Sequence, residues 1–237
     1  MRFTNEENLL LSSSGFVKQQ EYWLNRLSGY TDRTEIPSTR LKETRSTLEK
    51  GKVDIDIPPA ISQELIKLGK GSNLSIYIFL LSVLKTLIHR YTSREDIVVV
   101  SPLHQQTVSE TTFNHCVFIR ERLNEGMTVK DLILRLRQSV LEAYENQDYP
   151  STSLAREILE LPDDTRNPGS FLSTVVCALT PLHDNGNIKE LDGQLIFSFN
   201  RVENVVSGSI TYDLNIYEED FIRRVSRHVE NILQKAL

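Results

Sequence analysis

The residues of this chain that could do chemistry are few and scattered. Five histidines, His89, His104, His115, His183 and His228, each stand alone. A histidine titrates near neutrality, so any of them could act as a general base if a partner oriented its ring. Ser12, Ser101 and Ser151 offer hydroxyls. A serine nucleophile needs an adjacent base, and no Gly-x-Ser-x-Gly elbow occurs. There is no glycine-rich phosphate loop of either common type. Cys116 and Cys177 sit in apolar, strand-like runs and read as buried free thiols. No Cys/His spacing suits zinc. Asp148 follows a helix end, where a carboxylate can accept free backbone N–H groups. Arg166, close behind Asp163 and Asp164, reads as a phosphate clamp or as a local ion pair in a turn, and the turn is the simpler reading.

The elements that position these groups centre on residues 128–171. Thr128 with Asp131 reads as an N-cap with a short-carboxylate capping box. Val129, Leu132, Leu136, Val140 and Tyr144 recur at helical spacing and give one apolar face. Pro150 cannot continue that helix, but a second one can start there. Leu154, Ile158 and Leu161 give the second helix its buried stripe. Asn167-Pro168 then turns the chain into the apolar run Leu172–Leu179.

Asn146-Gln147-Asp148-Tyr149-Pro150, followed at that distance by Arg166-Asn167-Pro168, resembles two late motifs of the condensation domains of nonribosomal peptide synthetases. Glu21-Tyr22-Trp23-Leu24-Asn25-Arg26-Leu27-Ser28-Gly29 resembles the segment opening that family's C-terminal lobe. Ile88-His89-Arg90-Tyr91-Thr92-Ser93-Arg94-Glu95-Asp96-Ile97-Val98-Val99 resembles its helix-to-strand passage. The resemblance covers nearly the whole chain, but only the second half of the family's domain. It implies an α/β fold: a single chloramphenicol-acetyltransferase-like lobe, a mixed β-sheet with helices packed on it. Residues 1–51 would be an N-terminal helix and connecting strap, and residues 52–237 the lobe.

Two such lobes flank a tunnel in the family, where a donor and an acceptor meet on the phosphopantetheine arms of carrier proteins. The family's His-His-x-x-x-Asp-Gly lies in the N-terminal lobe, and its second histidine handles the attacking amine. This sequence has no His-His pair. The family's Phe-Val-Asn-Thr matches Phe113-Asn114-His115-Cys116, which puts His115 in place of an asparagine facing the tunnel. That makes His115 the one weak catalytic candidate. The loop Pro102–Thr112 is shorter than the family's bridging floor loop. Pro162 stands where arginine is common, and Gly169 where a larger apolar residue is common. The expectation is a partial condensation domain, inactive alone, serving as scaffold, docking element or half of a split enzyme. The alternatives are a self-assembled acyltransferase using His115, or a non-catalytic module that binds carrier proteins. No cofactor is expected to bind directly. The expected partners are a peptidyl or acyl carrier protein, a separate N-terminal lobe, or a second copy. A floor loop and strap without their other half predict an open apolar face.

Composition bounds these readings. The 237 residues are 39% apolar and 25% charged, with a formal net charge of −5. That charge argues against a general nucleic-acid binder, whose affinity comes from cations on phosphates. The N-terminus has no apolar core of signal-peptide type. The most apolar segment, Leu74–Ile88, is too short to span a bilayer and carries Lys85. Both point to the cytoplasm, without membrane contact.

The remaining elements follow from periodicity. The sequence predicts a helix to about Leu27 with Trp23 as an anchor, and a strand at Lys52–Ile57 stopped by Pro58-Pro59. A short helix carries Ile61, Leu65 and Leu68. A nearly all-apolar helix, capped by Ser75 and running to Tyr91, should be the buried centre. Strands are predicted at Ile97–Val100, Phe113–Leu123, Ser173–Leu179, Leu195–Phe199 and Ser207–Tyr217. Glu218–Leu237 closes the chain as a helix with Ile222, Val225, Val229 and Ile232/Leu233 inward.

Overall fold

The computed structural model describes residues 14–39, 49–105, 114–160, 172–191 and 193–237. Arg166, Asn167 and Pro168, with Phe113, Leu161, Pro162 and Gly169, lie outside them. The described elements are α1 (Ser14–Leu27), β1 (Lys50–Ile55), α2 (Pro59–Leu68), α3 (Asn73–Thr92), β2 (Asp96–Pro102), β3 (Cys116–Arg122), α4 (Val129–Glu145), α5 (Ser151–Leu159), β4 (Val175–Thr180), α6 (Asn185–Glu190), β5 (Leu195–Val202), β6 (Val205–Asp213) and α7 (Glu219–Ala236).

The strands form one mixed sheet in the order β1-β6-β5-β4-β2-β3. β5, β4 and β2 run parallel, and the flanking pairs are antiparallel. β2 and β4 are buried on both faces, which is why Ile97-Val98-Val99-Val100 is a continuous apolar run with no alternation. α3 packs on the sheet and touches α2, α4 and α7. Its residues Ile76–Lys85 are all buried. By length and composition α3 is apolar enough to cross a membrane, but about two thirds of it (67%) is inside the fold. Its N-cap is Ser72, whose hydroxyl accepts from the Ser75 amide, so the cap lies one turn earlier than the predicted Ser75.

Local sequence signals explain most element ends. Thr128 and Asp131 form both hydrogen bonds of the capping box on α4. Leu132, Leu136, Val140 and Tyr144 turn inward, while Val129 is 41% exposed at the frayed end of the stripe. Ile222, Val225, Val229, Ile232 and Leu233 of α7 are all buried, as the spacing requires. β6 stops at Asp213, whose carboxylate accepts from the Asn215 amide and turns the chain before the alternation of Leu214 and Ile216 can extend the strand. Gly51 lets the Tyr212 ring cross β1; a Cβ there would lie 2.4 Å from that ring.

Two features of the surface bear on the expected open face. The strap is tied down where it is described. The Thr34 amide donates to Leu172 O, the Thr34 carbonyl accepts from Thr174 N, and Tyr217 donates to Ile36 O. Tyr30 and Ile36 belong to the core. The open sheet face carries a groove of mixed lining, with Ile55, Ile188 and Phe199 beside its polar residues. Lys52 and Asp54 of β1, Ser207 and Ser209 of β6, and Ser198 and Asn200 of β5 line this groove of about 590 Å³. The period-2 pattern puts Leu195, Phe197 and Phe199 of β5 with Val206, Ile210 and Tyr212 of β6 on the helix side, and Ile196, Val202 and Val205 on the other. The large exposed apolar side chains among the described residues are Val17 and Leu24 of α1, Leu68 of α2, Val129 and Leu134 of α4, and the cross-strand pair Val202 and Val205 of β5 and β6.

Candidate functional site

β2 and β4 end side by side, and the polar residues of the sequence motifs gather at that end. In α/β sheets the carboxyl ends of parallel strands are the usual place for ligands. Two hydrogen-bonded clusters fill it here.

The first cluster is a knot around Asn114, which is 5% exposed. Its Nδ2 donates to Cys116 O at 2.8 Å and to Gln147 O at 2.8 Å. Its Oδ1 accepts from His115 N at 2.9 Å and from Ser151 N at 3.0 Å. One amide side chain therefore satisfies the first strand residue of β3, the α4–α5 turn and the first amide of α5. Pro150, the residue at the N-cap of α5, offers no side-chain bond of its own. Gln147 is equally committed: its Oε1 accepts from His104 N at 2.8 Å and its Nε2 approaches His104 O at 3.4 Å. Trp23 Nε1 donates to Asn146 O at 2.7 Å, tying α1 to the end of α4. The Tyr149 amide donates to Gln19, and its hydroxyl donates to Glu157 at 3.0 Å. Asp148 is half-buried in the turn, one residue from these contacts. Asn146 to Pro150 thus act as a junction of α1, α4, α5, β3 and the loop after β2.

The second cluster is a fully buried hydroxyl–imidazole chain. His183 Nδ1 accepts from Leu179 N at 2.9 Å, so in the neutral ring the proton sits on Nε2. That Nε2–H donates to Tyr144 Oη at 2.7 Å. Tyr144 then donates to Ser101 Oγ at 3.1 Å, and Ser101 donates to Pro102 O at 3.0 Å. Tyr77 meets the His183 ring edge-on, and His104 stacks on Tyr144. Burial, with the His104 ring close by, pushes the His183 imidazole down to about 3. Burial also lowers His104 and raises the Tyr77, Tyr144 and Cys177 groups. The Cys116 thiol rises to about 11, so it is not a thiolate at neutral pH. Ser101 bonds to a phenol and a carbonyl rather than to an imidazole. With 0% exposure it meets no substrate, and the chain works as internal wiring.

The predicted site residues therefore divide. Gln147, Tyr149 and Pro150 are buried and Asn146 half-buried, all brought together. His115 projects to solvent beside them. The residue that sequence reasoning missed is Asn114. Its signal was there: sliding the Phe-Val-Asn-Thr match by one residue would have laid it on the family's asparagine. Lys85 was also missed as a polar element. Its Nζ donates to Ile97 O at 2.7 Å and Ile119 O at 2.8 Å, and burial lowers it to about 7. Among the described residues no group of three His, Cys, Asp or Glu is placed to hold a metal ion.

This arrangement can be set beside known proteins. The model of the condensation-domain family matches residues 2–237, and the chain belongs to that family. It is similar to bacitracin synthase 3 of Bacillus licheniformis, with 26% identity over 99% of this chain and 4% of that protein. It is similar to gramicidin S synthase 2 of Brevibacillus brevis, with 24% identity over 98% of this chain and 6% of that protein. The chain thus spans a small fraction of the curated relatives it matches. Among solved structures, the X-domain from teicoplanin biosynthesis in its complex with OxyB matches with a TM-score of 0.76 and 17% identity, over 97% of this chain and 54% of that one. The starter condensation domain of rhizomide synthetase, a mutant in complex with C8-CoA, matches with a TM-score of 0.69 and 15% identity, over 98% of this chain and 55% of that one. The mixed six-stranded sheet with its helices is the chloramphenicol-acetyltransferase-like fold of condensation domains.

Proposed function

We propose that these residues supply the C-terminal lobe of a condensation unit in a nonribosomal peptide synthetase, and that the proton-handling group comes from outside them. The observation that carries this reading is the fate of the polar groups at the strand ends. Asn114, Gln147, Tyr144, Ser101 and His183 bond to the protein itself and are buried. What they do is hold α4, α5 and β3 rigidly at one end of the sheet. A rigid wall is what condensation of two tethered reactants needs from this side, since holding them together lowers the barrier most. The substrates would be acyl and aminoacyl thioesters on the phosphopantetheine arms of carrier proteins. The complementary lobe, bearing His-His-x-x-x-Asp-Gly, would lie elsewhere in the same polypeptide, on another chain, or be replaced by a second copy. The test is mass spectrometry of carrier-bound product from loaded donor and acceptor carriers. No product is expected from the 237 residues alone, and turnover is expected when the complementary lobe is added. Product from the 237 residues alone, lost in His115→Ala, would establish the self-assembled acyltransferase instead.

A second reading has one observation in its favour: the likeness to an X-domain described in complex with OxyB. Under it the lobe is a docking element that binds carrier or partner proteins without chemistry. Carrier binding that persists with no turnover, even with the complementary lobe present, would select it.

A further inference from the structure

α3 and α7 enclose a groove of about 610 Å³ that shares no residue with the clusters described above. Its floor is apolar, from Leu87 of α3 and Phe221 and Ile232 of α7. Its rim is cationic, from Arg90, Arg224 and Lys235. All three are exposed, and among the described residues none forms an ion pair with a carboxylate. The carboxylates of α7 are mostly directed elsewhere. Glu219 pairs with Arg223, and Glu230 accepts from the Asp56 amide and Ser226. Asp220 remains at the N-terminal end of the helix, one turn before Arg224, where the helix dipole favours it. Three rings at one end are fixed: Tyr91 Oη and His228 Nδ1 hydrogen-bond at 2.9 Å, and Phe221 packs edge-on against Tyr91.

We propose that this groove binds an acidic amphipathic helix of a partner polypeptide. The charge layout favours that occupant over a small anion. Arg224 and Lys235 are eleven residues apart on α7, roughly 16 Å at the helical rise, so their charges do not converge on one phosphate. They form a row. A helix with carboxylates along one edge meets that row, and its apolar edge packs on the half-exposed Phe221, under which Leu87 and Ile232 are buried.

The experiment uses the full chain and a synthetic amphipathic helix of about 18 residues with Leu and Phe on one edge and Glu on the other, followed by fluorescence anisotropy. A counterpart with Lys in place of Glu is the control. The Glu peptide is expected to bind at least ten-fold more tightly than the Lys peptide, with affinity falling as salt rises. Arg90→Glu with Arg224→Glu should weaken the Glu peptide at least ten-fold while circular dichroism stays that of the parent. Ile232 is too buried to serve as a clean probe, so the exposed charges carry the test. Equal binding of both peptides, or no loss in the charge-reversed variant, would overturn the proposal. So would a shift of the same two substitutions onto another occupant: loss of binding to phosphatidylserine vesicles, or of self-association in sedimentation, with the Glu peptide unaffected.

Discussion

Replacing Asn114 should cost far more than replacing His115, its neighbour. In Asn114→Ala the Gln147 carbonyl and the Ser151 amide lose their side-chain partner inside a buried knot, as does Cys116 O. A buried polar group left without a partner costs about 1–3 kcal/mol. These three groups and His115 N lose a partner, but His115 is exposed and the carbonyls keep a second lone pair for relaxation, so we expect a total of about 3 kcal/mol. For a domain of this size that corresponds to a melting temperature lower by roughly 6–12 °C. Asn114→Asp sharpens the test. It keeps the acceptor that serves Ser151 but sets a carboxylate against two carbonyl oxygens. Burial and the two carbonyls, set against the two N–H donors on Oδ1, are expected to put its folded pKa above the unfolded value. The variant should therefore gain stability relative to the parent as pH falls through that window, and lose it as pH rises. His115→Ala removes an exposed side chain and should stay within about 0.5 kcal/mol. Urea melts monitored at Trp23 read all three. Asn114→Ala melting like the parent, or His115→Ala melting lower than Asn114→Ala, would refute the knot.

Three further outcomes follow from the geometry. His183 is held neutral with a pKa of about 3, below the ordinary imidazole value, so the unfolded chain takes up a proton first as pH falls. Stability from this group is complete above about pH 6.5 and is lost progressively toward pH 3, by about 2 kcal/mol at pH 5; denaturant melts across that range should show the slope, and His183→Asn should flatten it. Trp23→Phe removes the donor to Asn146 O and should cost about 1–2 kcal/mol in a chemical melt. Thr128→Ala opens the capping box and should cost about 0.5–2 kcal/mol, read by thermal melting.

What the sequence made legible was local. The capping box at Thr128 and Asp131, the break at Pro150 and the inward stripe of α7 are each encoded within a few residues, and each is present. What it hid was set by partners distant in the chain. Asn114 earns its role from Gln147 and Ser151, more than thirty residues away, and no periodicity announces such a bond. His183 looked like a lone loop histidine until β4 and α4 brought Leu179 and Tyr144 to its two nitrogens. α6 was hidden because Asp184-Asn185-Gly186 carries turn chemistry, and the turn in fact leads into a short helix. The polar residues on the outer face of β6, Ser207, Ser209 and Thr211, were visible in its alternation.

Under the proposed function this lobe builds one wall of the reaction space and its complement moves the proton. The most direct measurement is single-turnover product formation on carrier proteins by the 237 residues mixed with a separate lobe bearing His-His-x-x-x-Asp-Gly, with one histidine replaced at a time. Alanine at the second histidine of the added lobe should abolish product, while His115→Ala should leave the rate within about three-fold, the loss of a group outside the transfer. Product that survives the first substitution and disappears with the second would contradict the account.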